Sequence, residues 1–194
     1  MNIVERVKGL IVAPENEWTA IDAENTSVAE LYRNYIVYLA AIPPFASFVS
    51  GYLFGFRGGA HVGEHLAFFG GLARAVMQYS LSLPLIYMVA FVISNLAPHF
   101  DGRESDRRSL ALVAYSATPA WLASAFALIP FLRWLDLLGL YGLWVFYTGF
   151  PRMLRCPKDH ADIFTLIVLV LTIVTGAIHA FLVRLAVPAP MLYG

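Results

Sequence analysis

Long uninterrupted apolar runs constrain this chain more than any other feature. There are five, at residues 35–56, 75–97, 110–132, 134–150 and 163–187, the fourth being the shortest. A helix needs about 20 apolar residues to cross a bilayer core of ~30 Å. The strands of a membrane barrel are ~10-residue alternating segments, and these runs are longer and continuously apolar. Only helices and closed barrels satisfy every backbone amide in lipid, so the runs are expected to be helices. Composition excludes a soluble alternative: 59% of the 194 residues are hydrophobic and 13% charged, against roughly 25% charged in soluble domains. The expected fold is an all-α polytopic bundle of five transmembrane helices. We read residues 1–194 as one domain, in which 1–32 form a cytoplasmic or interfacial segment and 35–187 the spans.

Prolines interrupt several runs: Pro43 and Pro44, Pro84, and Pro119. Each removes an amide donor and frees a carbonyl one turn earlier, which membrane helices tolerate when neighbours supply a partner. Kinks are expected there, and the Pro43-Pro44 pair is expected to split the first span or displace its start.

The basic residues are distributed unevenly. Arg6, Lys8, Arg33, Arg103, Arg107, Arg108, Arg152, Arg155 and Lys158 fall on one side of the five-span layout; Arg57, Arg74, Arg133 and Arg184 fall on the other. The positive-inside rule then places the N-terminus in the cytoplasm and the C-terminus outside. The formal net charge is zero, so no basic field attracts nucleic acid. The single cysteine, Cys156, excludes an internal disulfide. A free thiol and a palmitoylated one are both compatible with its position.

Before the first span, Ile3, Val4, Val7, Leu10 and Ile11 follow a helical spacing. This predicts a short amphipathic helix ended by Pro14, either lying in the interface or packed on the bundle as a cap. Trp18 suits the headgroup level.

Three local motifs then carry a resemblance. Pro14-Glu15-Asn16-Glu17-Trp18 is a Pro-x-x-x-Trp segment. Tyr115-Ser116-Ala117-Thr118-Pro119 reads Tyr-Ser-x-x-Pro. Gly139-Leu140-Tyr141 is followed by Tyr147-Thr148-Gly149-Phe150-Pro151, a Tyr-x-Gly-x-Pro segment. In this order, with five spans, the chain resembles the Yip1 family, and within it the small bacterial members. The resemblance implies a non-enzymatic protein of the bacterial inner membrane that organises lipid or partner proteins. The Asp-Leu-Tyr-Gly-Pro type motif of eukaryotic members is absent, so their link to Rab GTPases does not carry over.

Few residues offer chemistry. His61, Glu64 and His65 read His-x-x-Glu-His, a zinc-hydrolase pattern in which two histidines one turn apart hold the ion and the glutamate acts as base. Gly58, Gly59 and Gly63 oppose the helix this requires; two histidines in a solvated loop is the plainer reading, and no other cofactor is implied. His99, Asp101, Glu104 and Asp106 lie with Arg103, Arg107 and Arg108 in a mixed-charge turn. Lipid headgroups could meet those arginines there, and Ser105 or Asp106 could cap the next helix. Ionisable groups within spans are functional candidates. Asp136 can pair with Arg133, and His179 lies deeper. Gln78, Ser82, Asn95, Tyr115 and His179 could line a polar path, and Ser116 with Pro119 could form a hinge in it. The same groups could equally serve to bind helices together. The expectations that result are a membrane-organising protein, with the lipid bilayer, a second copy and other membrane proteins as partners; a small-solute transporter or channel; and, remotely, a zinc-dependent membrane enzyme.

Overall fold

The computed structural model describes residues 2–54 and 67–187, and every regular element among them is helical. Two short helices, α1 (Ile3–Val12) and α2 (Pro14–Ala23), precede four long ones. The long helices are α3 (Val28–Phe54), α4 (Phe68–Phe100), α5 (Asp106–Leu128) and, near the end, α7 (Lys158–Ala186). Between α5 and α7 lies α6 (Tyr141–Met153). By length and apolar composition the four long helices can each cross a bilayer.

The fourth expected span takes a different form. Residues Pro130–Leu140 wind as a 3₁₀ helix and lead directly into α6. This rod runs back along α5: Gly139 lies against Ala120, and Gly142 against the Ser116 carbonyl. A 3₁₀ helix rises about 2.0 Å per residue, so its 11 residues reach about 22 Å. Extra rise compensates for the short apolar run.

Local sequence fixes the helix ends. The Asn2 side chain accepts from the Val4 amide at the start of α1. Pro14 occupies the first turn of α2, where a missing amide costs nothing. Ser27 and Glu30 form a reciprocal capping box at the start of α3. The Ser105 hydroxyl accepts from Arg108 N at the start of α5.

The expected break in the first span occurs. Residues 40–41 form a turn, and the helix resumes at Ile42, immediately before Pro43 and Pro44. A stretch of wider, π-type winding (Tyr32–Ile36) lies on the other side. Two tyrosines bridge this irregular region to α4: Tyr79 Oη donates to the Val37 carbonyl at 2.9 Å and Tyr32 Oη to the Leu83 carbonyl at 2.8 Å. Such bonds satisfy carbonyls where water is absent. Pro84 and Pro119 are accommodated inside α4 and α5.

The best-packed region is the end of the bundle carrying the N-terminal helices. Leu10, Trp18, Tyr35, Ile36, Ile93, Leu110, Tyr115, Phe150 and Phe164 are fully buried in one cluster there. The flanks of α4 and α7 stay largely uncovered, with Phe69, Phe91, Leu166, Ile173 and Phe181 all exposed. In a bilayer these residues meet lipid.

Candidate functional site

Trp18 is the centre of the site. α2 packs along α6, and the indole is completely buried. Its Nε1 donates to the Val145 carbonyl at 3.0 Å, satisfying a donor that would be costly to bury alone. The ring lies on the backbone of Gly149, where a Cβ would collide with Cε2, Cζ2 and Nε1 of the indole. Its edge meets Tyr115, with ring centroids 6.1 Å apart; Tyr115 in turn meets Tyr35 edge to face at 4.8 Å. The Tyr35 hydroxyl shares a 2.7 Å hydrogen bond with Thr118 Oγ1.

Arg6 completes the cluster. It is 6% exposed, and its guanidinium lies 5.5 Å from the centroid of the Tyr115 ring, a cation–π arrangement. Nη1 pairs with Glu17 and Nη2 with Glu24. Burial works against the charge. The hydrogen bond to Glu24, with Tyr115, Glu24 and Glu17 nearby, outweighs that effect and holds the Arg6 pKa above its ordinary value. One buried cation is thus divided between two carboxylates and an aromatic face, a use for which arginine's planar fork is suited.

Further pairs close the hairpin over the bundle. Asp22 meets Arg108 at 3.1 Å and Arg155 at 2.9 Å. Arg107 donates to the Glu24 carbonyl at 3.1 Å, and Arg152 to the Thr19 hydroxyl. The structure therefore assigns Arg107 and Arg108 to internal contacts, a use the sequence reading of the charged turn did not foresee. Trp18, expected at headgroup level, is instead a buried wedge, and α1 is a packed cap whose Val4, Ile11 and Val12 remain exposed.

These contacts bring all three sequence motifs together: Trp18 from the first, Tyr115 and Thr118 from the second, Gly149 from the third. A Yip1 domain model matches residues 8–179. The chain belongs to the Yip1 family. Two relatives in this family are the inner membrane protein YohC of Escherichia coli K12 and the protein of the same name in Escherichia coli O6:H1 (strain CFT073). Each is 30% identical over 155 residues, covering 80% of this chain and 78% of the relative. No solved structure matches. The Yip1 motifs thus meet in one packed junction on this chain.

The residues proposed for a polar path do not meet in the same way. The Gln78 side chain accepts from Ser47 Oγ at 3.2 Å, and Asn95 Nδ2 donates to the Phe91 carbonyl at 2.8 Å from an exposed position. His179 Nε2 lies 3.0 Å from the Gln78 carbonyl, an arrangement in which the ring donates. Of that set, Ser82, Ser116 and His179 line a shared space, a groove of about 570 Å³ bounded by α4, α5, α6 and α7. Its other polar residues are Thr172, Thr175 and Asp136, and most of the lining is apolar, including Leu85, Ile86, Val113, Trp121 and Phe146. The Ser116 hydroxyl is buried without a hydrogen-bond partner among the described residues. Pro119 is buried within α5 and Tyr115 belongs to the Trp18 cluster.

His61, Glu64 and His65 lie outside the described residues. Among the described residues no group of three or more His, Cys, Asp or Glu side chains could hold a metal ion.

Sequence reasoning missed Arg6, Glu17 and Glu24. The available signal was Arg6 on the buried stripe of α1: Ile3, Arg6, Val7 and Leu10 follow i, i+3, i+4, i+7. A charge inside an apolar stripe calls for a buried partner. Counting apolar residues alone passes over it.

Proposed function

We propose that this Yip1-family protein is a non-enzymatic organiser of the inner membrane that works by presenting a fixed surface to lipid and to other membrane proteins. The observation that carries the reading is the Arg6–Glu17–Glu24–Tyr115 cluster. The most deeply buried charge among the described residues is used up in pairing the two arms of the N-terminal hairpin and in facing Tyr115 of the bundle, rather than being aimed into a cavity where it could act on a solute. The extensive uncovered apolar flanks of α4 and α7 are the surface through which lipids, a second copy or other membrane proteins would be met.

The same contacts support a sidedness. Arg6, Arg107, Arg108, Arg152 and Arg155 converge on the end of the bundle that carries α1 and α2. By the positive-inside rule that end faces the cytoplasm.

The groove bearing Ser116, Asp136 and His179 favours transport as the second reading. Proteoliposomes separate the two. On the organising reading, vesicles containing the purified protein are no more permeable to ions and small solutes than protein-free vesicles, and crosslinking in native membranes captures membrane neighbours. A saturable flux removed by His179→Ala or Asp136→Asn would establish transport instead. Zinc in stoichiometric amount in purified protein, lost in His61→Ala, would support the metal site.

A further inference from the structure

We infer that the end of the bundle carrying α1 and α2 holds a binding site for one anionic phospholipid headgroup. It lies in a pocket of about 450 Å³ between α2, α6 and the start of α7, lined by Arg152, Arg155, Lys158, Glu15, Tyr147 and Trp144 among others. The site stands whether or not the chain organises partners.

Three cations and one carboxylate line this pocket. Arg155 shares Asp22 with Arg108. Arg152 is held by the neutral Thr19 hydroxyl, and Lys158 has no ion-pair partner among the described residues. Positive charge is therefore left over at a place the fold has shaped. By contrast, Arg6, Arg107 and Arg108 are used internally. Arg155 is one of two described non-glycine residues with positive φ, at 57°. Left-handed backbone is unfavourable for a residue with a Cβ, and it is held here in the turn that follows α6. The Leu154 carbonyl accepts from Arg103 N at 2.8 Å in the same turn.

The pocket also has the layout of a lipid rather than of a free anion. The cations sit at the helix end, at the level of the chain's other interfacial arginines. Trp144 and Tyr147 stack at 5.7 Å one to two turns deeper along α6, and Trp144 is exposed. Exposed Ile163, Leu166 and Val170 continue along α7 in the same direction. A phosphodiester would meet Arg152, Arg155 and Lys158, the aromatic pair would take the glycerol region, and the acyl chains would follow the apolar flank.

The test is native mass spectrometry of the full chain, titrated with phosphatidylglycerol or with phosphatidylcholine of identical acyl chains. The expected result is one retained phosphatidylglycerol, bound several-fold more tightly than phosphatidylcholine. Lys158→Gln, which has no ion pair to lose, should weaken that preference about fivefold. Lys158→Arg should keep it, and added inorganic phosphate should not displace the lipid. Equal retention of the two lipids, or an unchanged preference in Lys158→Gln combined with Arg152→Gln, overturns the proposal. So does displacement by millimolar phosphate, which would mark a free-anion site. Unaltered helicity of each variant excludes loss of fold as the cause.

Discussion

Trp18 rests on Gly149, and no side chain of any size fits between them. The two residues come from motifs more than a hundred positions apart, and the contact locks the N-terminal hairpin onto α6. Gly149→Ala should therefore destabilise the protein although alanine is the better helix former. Overpacking of this kind costs about 1–3 kcal/mol, against a helix-propensity gain of about 1 kcal/mol. A lowered unfolding temperature in detergent checks this. An unchanged or raised temperature would mean that the indole can move aside.

Removing the wedge should cost more. Trp18→Ala takes away a fully buried aromatic side chain, for which about 3–5 kcal/mol is typical. Trp18→Phe keeps most of the ring but leaves the Val145 carbonyl without its indole donor; about 1 kcal/mol beyond the packing change is expected. Protease accessibility of residues 1–24 in the intact membrane protein reads the docking of the hairpin directly, and should rise in the order wild type, Trp18→Phe, Trp18→Ala.

Arg6→Ala should loosen α1 from α2 within the hairpin, through charge rather than shape. It strands Glu17 and Glu24 beside the Tyr115 ring, and breaking a buried pair costs about 3–5 kcal/mol. Glu24 retains access to water, which places this case near the lower end. The variant Arg6→Met with Glu17→Gln and Glu24→Gln removes the charges together and should recover most of the loss. Failure to recover would show that the cation–π contact, rather than charge balance, carries the stability.

Gly142→Ala probes the rod that replaces the fourth span. Its Cβ would press on the backbone carbonyl of Ser116, which cannot rotate away as a side chain could. We expect a loss of about 1–3 kcal/mol, with α5 and α6 forced apart. Gly176→Ala is the control, since a Cβ there meets nothing within 4 Å; it should be neutral or slightly stabilising.

Cys156 should behave as an inert thiol. Burial, followed by the charge of Asp101, raises its pKa from 9.0 to about 11. The sulfur fills the space beside Gly102. At pH 8 the thiolate is about a hundredfold scarcer than for an ordinary cysteine, so alkylation should be slow and should accelerate up to about pH 11. Because the folded value is the raised one, the linked stability is present below pH 9 and is lost as pH climbs from 9 towards 11. Rapid labelling of the native protein at pH 7 would contradict this, and would reopen acylation at this position.

How far the sequence could be read depended on which force set each feature. The long helices, the break before Pro43 and the cap at Ser105 follow from hydrophobic length and local backbone chemistry, and all three were visible there. The 3₁₀ winding of Pro130–Leu140 was not, because it answers to the close approach of Gly139 to Ala120, a contact between segments. The motif containing Trp18 was recognised but its depth was misread: amphipathic aromatics suit an interface by default, and only a glycine on another helix admits one to the interior. Arg6 was read as an orientation charge, because its partners become evident only when α1 folds back on α2.

The distance in sequence between Trp18 and its seat has a consequence for biogenesis. The residues of α1 and α2 are translated long before Val145 and Gly149, so the hairpin cannot dock while the early spans are entering the bilayer. Until then the Trp18 indole lacks the Val145 carbonyl and the Gly149 seat that it occupies in the folded protein. Closure of the N-terminal helices is therefore a late step in assembly, and it can proceed only on a bundle whose α5 and α6 have already paired.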